Sequence, residues 1–225
     1  MNRTGRGVRI AVVDSGVHAD HPHVGGVSGG IAIGSAGDLS NDYVDRLGHG
    51  TAVAAAIREK APECELLAVR VFERTLTATG QALVAAIEWS ALQGVQLINL
   101  SLGTSNQEHA SALAAAVAKA AAHGSIVVSA APQEGAAWLP GGLPGVVAVD
   151  VDWDCPRDEC RVLTASDSGV RLSASGYPRP IPGVPPERNF SGLSFAVANA
   201  TGMLALMLEG HPAETFASLA IRLQS

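Results

Sequence analysis

Short runs of valine and isoleucine alternate with alanine-rich stretches along most of the chain, and this alternation restricts the fold more than any other feature. The runs Val8–Val13 and Leu66–Phe72 are almost wholly apolar. Uninterrupted runs of this kind are typical of strands that are covered on both faces. Helices between successive strands make the right-handed crossovers of a parallel sheet. The pattern therefore predicts an α/β fold of three layers, with a mostly parallel central sheet and helices on both faces.

The middle of the chain gives the clearest element boundaries. Thr79 is placed to cap the helix "GQALVAAIEWSALQ", and Gly94 is placed to end it. A second helix is predicted over "EHASALAAAVAKAAAHG", and strands over "VQLINL", "SIVVSA" and "GVVAVDV". The last third predicts shorter strands, a proline-rich loop over 177–186 and a helix that opens near Ser194.

Composition limits the class of protein. The 225 residues are 47% hydrophobic, which is enough for one domain over 1–225 with a proper core. The net charge is −6 and no basic cluster is present, which argues against nucleic acid or an anionic membrane as a partner. The longest apolar run, "MLALML" from Met203, is too short to span a bilayer.

The three cysteines bear on the compartment. Cys155 and Cys160 enclose the polar turn "PRDE", which fits a disulfide clamp and a reduced hairpin equally, and Cys64 has no obvious partner. The N-terminal stretch leads quickly into Asp14 and does not have the pattern of a secretion signal. An odd cysteine count without such a signal favours a cytoplasmic protein.

Residues that follow the strands are the candidates for function, because ligands of open α/β sheets bind at the carboxyl ends of the strands. These residues are Asp14, the segment Ser101–Gly103 and the segment Ala130–Gly135. In two further places a polar side chain opens an apolar helix: His49 in "GHGTAVAAAI" and Ser194 in "GLSFAVANATG".

Taken singly, these polar residues have ordinary explanations. Asp14 fits a turn or a helix cap, His49 a simple helix start, and Ser194 a cap. Together they form the set that nucleophilic catalysis needs: a serine to attack, an imidazole to take its proton and a carboxylate to orient the imidazole. A helix start beneath Ser194 adds backbone N–H groups for a developing oxyanion.

The segments "VVDSG", "GHGT" and "GLSFA", in this order, resemble the three active-site blocks of the subtilisin-like serine proteases, the subtilase family (peptidase S8). The resemblance runs from about Gly7 to His211, and "INLSLG" is similar to the family's substrate-pairing strand. It implies a subtilisin-like fold, a peptide or protein substrate, and Asp14, His49 and Ser194 as catalytic residues.

The resemblance also implies a first specificity pocket, whose walls are Ser101, Leu102, Gly103, Ala130, Ala131 and Pro132. Glu134 follows where some relatives have an acid near the pocket floor, which would favour a basic side chain before the cleavage site. A solvent-facing glutamate explains Glu134 as well. The loop "YPRPIPGVPPERN", which leads into the nucleophile's helix, is expected to shape the leaving-group side.

Gln133 stands where the family has the asparagine that donates to the oxyanion. Glutamine keeps the carboxamide but is one methylene longer and has more rotamer freedom, and Pro132 before it removes a backbone donor. The resemblance therefore makes Gln133 and the Ser194 N–H the oxyanion donors, with Gln133 the weaker of the two.

Other positions depart from the family pattern. Ala198 and Asn199 replace a common proline and histidine after the nucleophile, and Ala52 replaces a frequent second histidine. No counterpart of the family's N-terminal calcium-binding segment is found, and the acids Asp38 and Asp45 (with Asp42 between them) fit a solvated loop. No metal and no cofactor are therefore expected.

The main hypothesis is a serine endopeptidase, acting inside the cell on a specific precursor or leader peptide. Two alternatives remain open: a catalytically weak subtilase-fold scaffold that binds peptides, and an acyl transferase that ligates or cyclises peptides.

Overall fold

The computed structural model describes residues 3–72, 75, 78–133, 137–185 and 188–224. Its strands run in chain order as follows: β1 Arg9–Asp14, β2 Gly29–Ile33, β3 Leu39–Ser40, β4 Glu65–Arg70, β5 Leu97–Leu100, β6 Ile126–Ala130, β7 Val146–Val151, β8 Cys160–Ser166 and β9 Gly169–Ala174. The α-helices are α1 His49–Lys60, α2 Gly80–Leu92, α3 Ala110–Ala122, α4 Leu193–Leu208 and α5 Phe216–Leu223.

The described strands form one sheet in the order β3-β2-β4-β1-β5-β6-β7-β9-β8. Neighbours from β2 to β9 pair in parallel, and only the outermost strands β3 and β8 are antiparallel to their neighbours. The mostly parallel α/β fold is thus confirmed. The prediction of shorter strands in the last third is wrong, since β8 has seven residues and β9 six. The two-residue strand β3 and the helix α5 are additions that the alternation did not predict.

Each face of the sheet has its own core. On β1, Ile10 and Val12 pack into the core that also contains α1 and α4, whereas Ala11 and Val13 pack into the core of α2 and α3. Successive side chains of a strand point to opposite faces, so a strand without polar residues contributes to both cores.

The predicted helix boundaries are close to the observed ones. The Thr79 hydroxyl accepts a hydrogen bond from the Ala82 N–H at 3.1 Å, and Gly94 has a φ of +68° just beyond the end of α2. The second alanine-rich helix begins with a 3₁₀ turn over Gln107–His109 before α3 starts. These boundaries place the ends of β1, β5 and β6 at the same edge of the sheet as the starts of α1 and α4.

Candidate active site

Asp14 and His49 are in direct contact at this edge. Asp14 is the last residue of β1 and is fully buried, and His49 is the first residue of α1 with only 12% of its side chain exposed. Asp14 Oδ1 lies 2.7 Å from His49 Nδ1 and also accepts the Ser15 N–H at 2.7 Å. A buried carboxylate bonded to Nδ1 favours the tautomer that leaves Nε2 free to accept a proton.

The surroundings of His49 make its imidazole more basic. Burial opposes the charged form, but the hydrogen bond and the charge of Asp14, with a contribution from the charge of Asp45, outweigh it and raise the pKa of His49. An imidazole with a raised pKa accepts a proton more readily, and the Asp14 carboxylate stabilises the imidazolium once it has formed.

Asp45 is buried and extensively hydrogen-bonded, so the solvated loop expected for this acid is wrong. Its Oδ1 accepts from the Ser15 hydroxyl and from the N–H groups of Leu47 and Gly48, all at 2.9 Å. Its Oδ2 accepts from the Thr51 N–H at 2.9 Å and the Thr51 hydroxyl at 2.6 Å. Although burial disfavours the charged form, these donors lower the pKa of Asp45. The carboxylate therefore fixes the turn that leads into α1.

Ser194 is not a helix cap. The N-cap of α4 is Gly192, with a φ of +138°, and Ser194 is the second residue of the helix. Its hydroxyl donates to the carbonyl oxygen of Ser101 at 3.3 Å. Because the first N–H groups of a helix have no acceptor within the helix, the Ser194 N–H is available to an external oxygen.

Two aromatic rings surround the imidazole. The Phe195 ring lies 5.7 Å from the His49 ring and the Phe190 ring 6.1 Å from it, measured between centroids. Phe195 is buried and Phe190 is exposed, so one ring supports the imidazole from the core and the other covers it at the surface. Sequence reasoning did not single out either ring.

Gln133 is exposed and its amide nitrogen donates to the carbonyl oxygen of Ala131 over 3.4 Å. Preorganised donors are aimed at the oxyanion before the reaction starts. An amide that is bonded to its own backbone must first turn away from Ala131. Glu134, the expected acid at the pocket floor, lies outside the described residues.

The expected pocket walls follow β5 and end β6. Ser101 is tied to the core because its hydroxyl accepts from Asn99 Nδ2 at 2.9 Å, and Asn99 Oδ1 in turn accepts from Thr201 of α4 at 3.0 Å. On the second wall, the Ala131 N–H donates to the carbonyl oxygen of Val149 at 2.8 Å. The remaining wall residues, Leu102, Gly103, Ala130 and Pro132, belong to the same two segments.

Two of the positions that depart from the family pattern have structural roles. Asn199 is buried in α4 and its amide donates to the carbonyl oxygens of Ser175 and Tyr177 at 2.8 and 3.0 Å, which holds the loop after β9 to the helix. Ala52 lines a cavity of about 310 Å³ beside Phe190. His18, His21, His23, Pro178, Arg179 and Ile181 also line this cavity.

All three cysteines are free, which answers the question left open for Cys155 and Cys160. Burial raises the pKa of Cys64 to about 11 and that of Cys160 to about 12, so both thiols stay protonated at neutral pH.

In the part of the chain that the structure describes, no helix is long and apolar enough to cross a membrane.

The sheet brings Asp14, His49 and Ser194 to one edge, and these are the residue types that a serine protease uses. Comparison with known proteins agrees with this class. The model of the subtilase family (Peptidase_S8) matches residues 5–222, and the chain belongs to this family of serine proteases.

Individual relatives give the extent of the likeness. The chain is 30% identical over 237 residues to a subtilisin of Bacillus pumilus, covering 99% of this chain and 84% of that protein. It is 29% identical to Subtilisin E of Bacillus subtilis strain 168 and spans 61% of that protein's length. A cold-adapted subtilisin-like serine proteinase of known structure superposes with a TM-score of 0.74 at 26% identity, covering 97% of this chain and 81% of that one.

Proposed function

We propose that the chain is a serine endopeptidase in which Ser194 attacks the peptide carbonyl, His49 transfers the proton and Asp14 orients His49. The contact of 2.7 Å between Asp14 and His49 carries the proposal, since it sets the tautomer in which Nε2 can act as the base. Membership in a family of serine proteases supports the same assignment.

The reaction starts when the Ser194 hydroxyl leaves the Ser101 carbonyl and passes its proton to His49 Nε2 while Oγ bonds to the substrate carbon. The carbonyl oxygen becomes an oxyanion, which the Ser194 N–H at the start of α4 stabilises, with Gln133 as a weaker second donor. His49 then returns the proton to the leaving amine, and an acyl-enzyme remains. Water then attacks the acyl carbon while His49 Nε2 takes its proton. The proton passes to Ser194 Oγ as the bond between Oγ and the acyl carbon breaks and the acid is released.

The peptide is proposed to lie between the two walls on its acyl side and over the Phe190 cavity on its leaving-group side. His49 protonates the leaving amine, so the surface next to its ring faces that part of the substrate. Gly48 and Phe190 flank His49 and both line the cavity, as does the proline-rich loop. This supports the expectation that the loop shapes the leaving-group side.

We further propose a processing role on a specific precursor or leader peptide. The two wall segments and the leaving-group cavity would together contact several residues of the substrate. An enzyme that selects several residues at once has few cleavage sites. Cleavage of a defined peptide library, read by mass spectrometry, should give a short set of products. Products from most peptides in the library would contradict the proposal.

Three free thiols, two of them buried, support the further proposal that the chain works in a reducing compartment such as the cytoplasm. Cell fractionation with an antibody to the chain would test it. Recovery mainly in the medium would contradict it.

Reaction with a fluorophosphonate probe tests the enzyme assignment. The wild type should be labelled at Ser194, and the Ser194→Ala variant should not, with Ser191→Ala as a matched control that keeps its label. Lack of labelling at Ser194 would favour a scaffold without catalysis. In a separate reaction of a peptide substrate with an added amine, a product in which the amine is joined to the acyl part of the peptide would indicate acyl transfer instead of hydrolysis.

A further inference from the structure

Trp138 lies against one wall of the first specificity pocket. A Cβ atom added to Gly103 would lie 2.4 Å from Trp138 Nε1 and 2.7 Å from its Cε2. Those distances are too short for any side chain, so the indole is in van der Waals contact with the Gly103 backbone. The same Cβ would lie 2.5 Å from the Leu139 carbonyl oxygen, so the indole and the backbone that follows it together require glycine at this position.

The segment that carries Trp138 is attached to both walls. On the first wall, Leu139 and Thr104 exchange two backbone hydrogen bonds of 2.9 Å. On the second wall, a Cβ added to Gly141 would lie 1.8 Å from the Ala130 carbonyl oxygen, so the chain passes directly over the end of β6. The residues that follow Trp138 thus connect the two wall segments, and they fix the position of the indole beside the first wall.

The side of the sheet is also defined. Trp138 packs against the core that contains α1 and α4, and its neighbour Leu139 packs against the core of α2 and α3. Since Ser194 opens α4, the indole is on the same side of the sheet as the nucleophile. The indole N–H is buried and has no hydrogen-bond partner among the described residues.

We propose that Trp138 fills the first specificity pocket, so that the enzyme accepts glycine or alanine, and not a large side chain, immediately before the scissile bond. This rests on the proposed function and names the substrate class for the same site. A leucine or phenylalanine there would have to displace an indole that the residues after it fix beside the first wall. Glycine needs no pocket, and alanine needs room for one methyl group.

Replacement of the indole should reopen the pocket. In Trp138→Ala the lost ring leaves an apolar space of about 150 Å³, the size that holds a benzene ring. The variant should therefore accept leucine and phenylalanine before the scissile bond. Trp138→Phe should give an intermediate preference, and Trp153→Ala, which removes an exposed tryptophan elsewhere, should leave the preference unchanged.

Hydrolysis of four peptide anilides that differ only in the residue before the scissile bond (glycine, alanine, leucine and phenylalanine) tests the proposal. The wild type should have a kcat/KM for alanine at least about tenfold above that for phenylalanine, and Trp138→Ala should reverse the order. A wild type that prefers phenylalanine overturns the proposal. This result decides the question even if the Trp138→Ala variant does not fold.

A binding experiment separates this proposal from that of catalysis. Calorimetry with Ser194→Ala and four product peptides that end in the same residues measures the pocket without any reaction. Tighter binding of the alanine peptide than of the phenylalanine peptide supports a filled pocket even if no anilide is hydrolysed. Equal or tighter binding of the phenylalanine peptide overturns it.

Discussion

Helices α1 and α4 start alike but differ in how the N–H groups of their first turns are bonded. Each begins after a glycine with positive φ, Gly48 at +81° and Gly192 at +138°, and neither has a side-chain cap from that residue. In α1, the N–H of Gly50 donates to the Ser15 hydroxyl at 2.9 Å and the N–H of Thr51 donates to the buried Asp45. The second and third N–H groups of α1 are therefore already bonded to acceptors within the protein.

The first turn of α4 is bonded differently, because its third N–H group, that of Phe195, donates to the Gly192 carbonyl oxygen at 3.0 Å. Within the described residues, the N–H groups of Leu193 and Ser194 have no acceptor. Free N–H groups at a helix start bind anions, and in the proposed mechanism the Ser194 N–H would bind the oxyanion. In α1 the bonded N–H groups fix the turn that carries His49, whereas in α4 the Ser194 N–H is left for the oxyanion of the proposed mechanism.

Asp14→Asn should have the largest effect on the α1 side. The carboxamide keeps the shape of Asp14 but can present an N–H to His49 Nδ1, which favours the wrong tautomer of the base. We expect kcat to fall by about 10⁴, with the fold retained. Steady-state kinetics measures the fall, and circular dichroism serves as the control. A loss below tenfold would show that Asp14 does not set the tautomer.

The sequence predicted the three candidate catalytic residues because each lies in a short local motif at an element end. Asp45 could not be separated from Asp38 and Asp42, since the three acids lie close together in the sequence between β2 and α1 and only the folded turn buries one of them. A clue was present in the spacing, because Asp45 lies four residues before His49 and so can reach the first turn of α1.

Trp138 was missed for a different reason. Its place beside the first pocket wall depends on the pairing of Thr104 with Leu139, residues that are far apart in sequence. The useful signal was glycine: Gly103 and Gly141 mark the two points where another backbone or ring comes too close for a side chain. The position of a glycine in the sequence does not reveal which backbone or ring lies close to it in the fold.

Asp45→Ala should remove the support of α1 and lower the free energy of unfolding by about 3 kcal/mol or more, because several buried donors lose a charged acceptor. Asp42→Ala is the matched control, since Asp42 is exposed and pairs with Arg46 at the surface. That variant should change stability by less than about 1 kcal/mol. Urea denaturation compares the two, and equal losses would contradict a special role for Asp45.

On the α4 side, Gln133→Ala should lower kcat by less than about tenfold. In relatives with a preorganised donor at this position, its loss costs about 10²–10³ in kcat. Gln133 is exposed and bonded to the Ala131 carbonyl, so it has to reorient before it can help. A loss of about 10² or more would instead show that the glutamine is a full oxyanion donor.

The smallest expected effect is a shift in the pH dependence of activity, and it comes from the residues at the start of α1. His49 acts as a base only when neutral, and its pKa is raised, so activity should fall with decreasing pH sooner than it would for an ordinary histidine. Asp45→Asn removes one of the charges that raise this pKa, and the acid limb of kcat/KM should therefore move to lower pH. Asp42→Asn should leave the limb in place. A limb that moves equally in both variants would mean that general loop charge, and not the buried carboxylate beneath α1, tunes the base.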